Sequence, residues 1–90
     1  MIEDNIMQIG RVVLAKAGRD RGNLFVIVDV IDHEYVFIAN GTNRTIDKPK
    51  KKKIKHLEPS PDVLSGIRDK ILEGRKVFDA EIRKSLDVLL

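Results

Sequence analysis

Two stretches of this 90-residue sequence carry side chains that could do chemistry. The first is Gly18-Arg19-Asp20-Arg21-Gly22, two glycines bracketing a pair of arginines, with Lys16 just before it. The second is the run Lys50, Lys51, Lys52, Lys53 and Lys55, preceded by Arg44 and Lys48 and opposed only by Asp47. Arginine offers a planar fork that grips phosphate through two hydrogen bonds and stacks on bases. Lysine adds a point charge and releases counterions when it neutralises a phosphate. Together these residue types suggest capture of a polyanion. The plainer alternative makes the arginines solvated loop residues and the lysines guards of an exposed sheet edge.

Other chemistry finds no constellation. With no cysteine in the sequence, disulfides, thiolate metal sites and thiol catalysis are excluded together. His33 lies in a polar turn and His56 beside the lysines, neither within a set of ligands at metal spacing. Ser60, Ser65 and Ser85 fall outside any nucleophile-elbow pattern. The two-glycine turn lacks the Gly-Lys-Ser/Thr ending of a phosphate-binding P-loop and the third glycine of a dinucleotide fingerprint. No catalytic pair can be named, so a non-catalytic protein without cofactor or metal is expected.

The charge is unevenly placed. Residues 1–60 hold 11 Lys/Arg against 8 Asp/Glu, whereas residues 61–90 hold 6 of each, so the whole excess of +3 belongs to the first part. The opening MIEDNIMQIG begins with acids and has no basic stretch leading an apolar one, unlike a secretory signal. No apolar run approaches the roughly 20 residues that span a bilayer. A cytoplasmic protein is expected.

The elements that must position the basic groups are short strands. RVVLAKA reads as a first strand, ended by the Gly18–Gly22 turn, where glycine accepts left-handed backbone angles without penalty. LFVIVDVI, residues 24–31, is almost continuously apolar, as expected of a central strand buried on both faces. Asp32, His33 and Glu34 reverse the chain into a strand over YVFIA, and Asn40-Gly41 signals another turn. Short strands around Arg44–Ile46 and Lys53–His56 bring the number to about five, which predicts a small closed barrel over residues 1–60. Tyr35 and Phe37 share one face of their strand, but apolar Val36 and Ile38 beside them favour the core over a base-stacking platform.

After HLEPSPD the period becomes helical. Ser60 is placed to cap a helix with Pro61 at its first position, Leu64, Ile67 and Ile71 form a stripe, and Gly74 ends it. Asp79 reads as a second cap before Ile82, Leu86 and Leu89. Residues 61–90 are thus predicted to form a helical hairpin, packed on the barrel or used for assembly. In the second case Val77, Phe78, Ile82, Leu86 and Leu90 would hold a protein partner or a second copy.

With these parts in place, GRVVLAKAGRDRGNLFVIVDVID resembles a KOW motif: a strand, a basic turn ending in Gly22, and a hydrophobic strand ending in acids. Its continuation through FIANG to KKKKIKHLEP is similar in order and spacing to the KOW-type large-subunit ribosomal proteins of archaea and eukaryotes, in particular the ribosomal protein fourteen family. The resemblance covers about residues 8–60. It implies an SH3-like barrel bound to ribosomal RNA of the large subunit. By position it assigns RNA contacts to Lys16, Arg19, Arg21 and Gly22, and to Lys50, Lys51, Lys52, Lys53 and Lys55. His56, in the matching KHLEP block, has a structural place. The modest net charge, and a helical hairpin outside the matched region, lead to the expectation of a ribosome-associated factor rather than a constitutive subunit. A protein-interaction module of the kind found in transcription elongation factors is the other reading.

Overall fold

Val12 and Val13 are adjacent in sequence and buried on opposite faces of one strand, each joining a different apolar cluster. That alternation, the period of two that a strand imposes, organises the whole molecule. In the computed structural model, which describes residues 6–90, five strands run β1 Arg11–Ala15, β2 Leu24–Val30, β3 Tyr35–Ala39, β4 Lys50–Lys53 and β5 Leu57–Val63. Two helices follow, α1 Ser65–Leu72 and α2 Asp79–Asp87. The acidic opening, with Glu3 and Asp4, lies outside the described residues.

The sheet is antiparallel in the order β4-β3-β2-β1-β5. Its register shifts between Ile27 and Asp29, and between Arg11 and Val13, irregularities of the kind that bend strands and curl a sheet. A short 3-10 helix, Ile54–His56, bridges the two edge strands. Ile54 N–H donates to the Glu34 carbonyl and Lys16 N–H to the His56 carbonyl, both at 2.8 Å. The result is a mainly β, small barrel-like domain, as the resemblance implied, followed by the helices that the period of residues 61–90 predicted.

Inside the curl lie Val13, Ala15, Phe25, Ile27, Val36, Ile38 and Leu57. On the outer face Val12, Val26, Val28 and Ala39 meet Ile67 of α1, Val77 and α2's Ile82 and Leu86. From Leu24 to Val28 β2 is therefore covered on both sides, which explains the apolar run there, and the strand emerges at exposed Asp29 and Val30. Of the strip proposed to hold a partner, Val77, Ile82 and Leu86 are buried against the sheet, while Phe78 and Leu90 are exposed. Lys70 of α1 and Glu81 of α2 pair at 2.8 Å, joining the helices.

Four expectations about elements need correction. Arg44–Ile46 is loop, because its backbone donors are taken by side chains: Arg44 N–H by Asn40 Oδ1 at 3.0 Å and Ile46 N–H by Asp79 Oδ1 at 2.8 Å. The strand expected over Lys53–His56 lies earlier, as β4. Ser60 and Pro61 do not start a helix but continue β5, where Pro59 and Pro61 are tolerated because an edge strand need not donate along its outer side. Asp79 is the first residue of α2 rather than its cap. The cap is Phe78, whose N–H donates to the Glu81 carboxylate at 2.9 Å.

Candidate nucleic-acid interface

The β1–β2 turn is closed by its own backbone. Gly22 N–H donates to the Ala15 carbonyl at 2.8 Å and Arg21 N–H to Gly18 at 3.2 Å. Gly18 and Gly22 have φ of 85° and 90°, the left-handed region in which a β-carbon is penalised. Between them Arg19 and Arg21 are exposed and Asp20 is buried, with 3 % of its surface accessible. The turn thus points two guanidinium groups outward and one carboxylate inward.

What holds Asp20 is Arg44, in the loop after β3. Arg44 donates to Asp20 Oδ2 from Nη2 at 3.1 Å and from Nε at 3.3 Å. A second tether comes from β4. The Lys52 side chain, 8 % exposed, reaches its Nζ to the Ala17 carbonyl at 2.9 Å. A β-carbon on Gly18 would lie 3.0 Å from that Nζ, so the missing side chain also leaves room for the lysine. The basic turn is pinned from two directions.

Burial along β4 separates the lysines. Lys52, opposite Val36, turns inward, while Lys50 and Lys51 are exposed and Lys53 is half-buried. Lys55 is exposed beyond them, and Lys16, at the end of β1, lies 3.7 Å from the Glu58 carboxylate. The Lys52–Ala17 and Lys16–His56 hydrogen bonds bring the turn beside the lysine segment. Two basic stretches some thirty residues apart in sequence thereby meet. A β-carbon on Gly22, at the turn's end, would meet nothing within 4 Å, so its outer side is open.

The aromatic residues take other parts. Phe25 is in the barrel interior and Phe37 packs on the outer cluster. Half-buried Tyr35 has Lys51 Nζ 4.6 Å from its ring centroid, which places a cation on the face a base would use. At the β2–β3 turn, Asp32 accepts the Glu34 and Tyr35 N–H groups, and the Glu34 bond above all draws its carboxyl below the usual range. Among the described residues, no group of three or more His, Asp or Glu side chains is arranged to hold a metal ion, and no helix is long and apolar enough to cross a membrane.

Sequence reasoning grouped Arg44 with the polyanion-facing cluster and gave Asp20 no part. Their pairing spans 24 positions and leaves no local trace. The one signal was a lone acid inside a basic turn. Lys52 could be distinguished from its neighbours only once the register of β4 was known.

No family model matches the chain. Known relatives do. Large ribosomal subunit protein eL14 of Staphylothermus marinus is 38 % identical over 81 residues, covering 89 % of this chain and 76 % of that protein. The eL14 of Pyrobaculum arsenaticum is 35 % identical, covering 91 % of this chain and 73 % of its own. A shorter match, to the eL14 of Desulfurococcus amylolyticus, is 41 % identical over 54 residues and spans 56 % of that relative. An alignment of 81 residues must include most of the last thirty. The likeness therefore reaches into the helices and is not confined to residues 8–60, which removes one ground for expecting an accessory factor.

Proposed function

The chain belongs to the family of large ribosomal subunit protein eL14, and from that premise we propose a non-catalytic protein of the large ribosomal subunit that binds ribosomal RNA in the cytoplasm. The observation that carries this reading is the pinned turn: Arg19 and Arg21 are exposed, while Asp20 between them is buried on Arg44. Arginines on a fixed turn can grip phosphates without first losing loop freedom. Around them Lys16, Lys50, Lys51, Lys53 and Lys55 supply attraction that depends on charge and not on sequence. Lys52 serves this interface by holding the turn through Ala17. Gly22 lets the RNA backbone approach closely.

The interface so described reads backbone and shape. Binding to large-subunit ribosomal RNA should weaken steeply with salt, and Arg19→Ala should lower affinity alike for every RNA of that shape. Equilibrium binding at several salt concentrations tests it. An Arg19→Ala protein that binds as wild type throughout would remove that residue from the interface.

A further inference from the structure

Beside the turn lies a cleft of about 180 Å³, bounded by Gly22, Asn23 and Leu24 of the β1–β2 segment and by Arg83, Leu86 and Asp87 of α2. We propose that it receives an unstacked nucleobase of the RNA whose phosphates lie on Arg19 and Arg21, an inference that rests on the RNA-binding reading above.

Three observations point to a base. Gly22 is both the end of the turn that carries Arg19 and Arg21 and a lip of the cleft, so the turn and the cleft adjoin. The lining combines apolar surface, from Leu24 and Leu86, with polar groups at the rim, as a planar aromatic ring with hydrogen-bonding edges requires. Of those rim groups one is engaged within the chain and two are not. Arg83 is fixed by a 2.7 Å bond from Nη1 to the Gly41 carbonyl, but among the described residues the Asn23 amide and the Asp87 carboxylate have no hydrogen-bonded or ionic side-chain partner. Asp87 is moreover the last residue of α2, where the helix dipole disfavours an acid.

The chemistry of the rim selects among bases. A carboxylate only accepts hydrogen bonds, so Asp87 favours bases that carry an exocyclic amino group over uracil, whose single edge donor, N3–H, is flanked by two carbonyl oxygens that repel a carboxylate. The cleft therefore adds base preference to an interface that otherwise reads the backbone.

The test is fluorescence anisotropy of the full chain with labelled oligoribonucleotides rC10 and rU10, comparing wild type with Asp87→Ala. Wild type should prefer rC10 by roughly fivefold, the scale of one good base-edge contact. Asp87→Ala should abolish the preference while unfolding at the wild-type temperature, since the exposed acid is no part of the core. Equal wild-type affinity for the two oligomers, or a preference that survives Asp87→Ala, would overturn the cleft assignment and leave the phosphate-binding turn standing. Loss of binding to both oligomers and to ribosomal RNA would instead overturn the RNA reading and this inference with it.

Discussion

One carboxylate oxygen of Asp20 accepts both Nη2 and Nε of Arg44, at 3.1 and 3.3 Å, and so joins the β1–β2 turn to the loop after β3. The acid is almost wholly enclosed and the arginine about a quarter exposed, at 4 % and 27 % of their side chains. Removing the acid leaves a partly buried guanidinium without its partner. Asp20→Ala should destabilise by about 2 kcal/mol. In a double-mutant cycle with Arg44→Ala, the combined loss should fall short of the sum by about 1 kcal/mol or more. Denaturant unfolding of the four proteins measures both, and simple additivity would deny the coupling.

Lys52 and Lys51 are neighbours in sequence and opposite in predicted behaviour. Lys51 stands exposed, whereas Lys52 is buried on the Ala17 carbonyl. Lys51→Ala should reduce the slope of log affinity against log salt by about 1 if it contacts a phosphate. Lys52→Met should weaken RNA binding by loosening the turn, with a smaller change in slope. Salt titrations of the two variants distinguish the roles, and identical slope losses would make Lys52 a direct contact.

Two glycines at positive φ should differ sharply in tolerance. At Gly22 a methyl group meets nothing within 4 Å, so Gly22→Ala carries only backbone strain, about 1 kcal/mol. At Gly41 the loop presses against α2, and a β-carbon would overlap the Asp79 carbonyl and lie 3.0 Å from the Arg83 nitrogen. Gly41→Ala should cost about 3 kcal/mol or more, as both strain and backbone displacement enter. Thermal unfolding ranks the pair, and equal losses would contradict the packing of this loop.

The Lys70–Glu81 pair gives stability a specific pH dependence. The Lys70 ammonium, then the Phe78 N–H, hold the Glu81 carboxyl below its ordinary value of 4.5. A group whose pKa is depressed on folding stabilises the fold above its unfolded pKa, and this contribution is lost as pH falls through the folded value. Glu81→Gln keeps a hydrogen-bond acceptor for the helix cap but loses the charge. At neutral pH it should be less stable by about 0.5–1 kcal/mol, a small figure because water screens the half-exposed pair. The deficit should shrink below pH 4.5 as Glu81 is protonated in the wild type. Unfolding curves of both proteins between pH 7 and strongly acid solution test this, and a gap that persists throughout would place the effect outside the pair.

Much of this was legible in the residues. The double-faced apolar run of β2 and the two-glycine turn are written in local patterns, and the structure realises both. β4 was not legible at its full extent, because four consecutive lysines carry no alternation of hydrophobicity. What makes them a strand is the backbone of β3, from Lys50 opposite Ile38 to Lys53 opposite Tyr35. Pro59 and Pro61 resembled a helix entry for a similar reason: their place on an edge strand depends on pairing with β1. At the candidate interface, exposure of Arg19 and Arg21 followed from the turn, but the burial of Asp20 and the inward Lys52 depend on partners far along the chain.

The central claim is that the pinned basic turn holds this protein on the large subunit. Sucrose-gradient sedimentation with ribosomes at low and high salt, comparing wild type with the Arg19→Ala/Arg21→Ala double variant, tests it most directly. Wild type should travel with the large subunit, and the folded double variant should remain at the top of the gradient or leave the subunit at much lower salt. A double variant that co-sediments as wild type does, or a wild type that stays at the top even at low salt, would contradict the account.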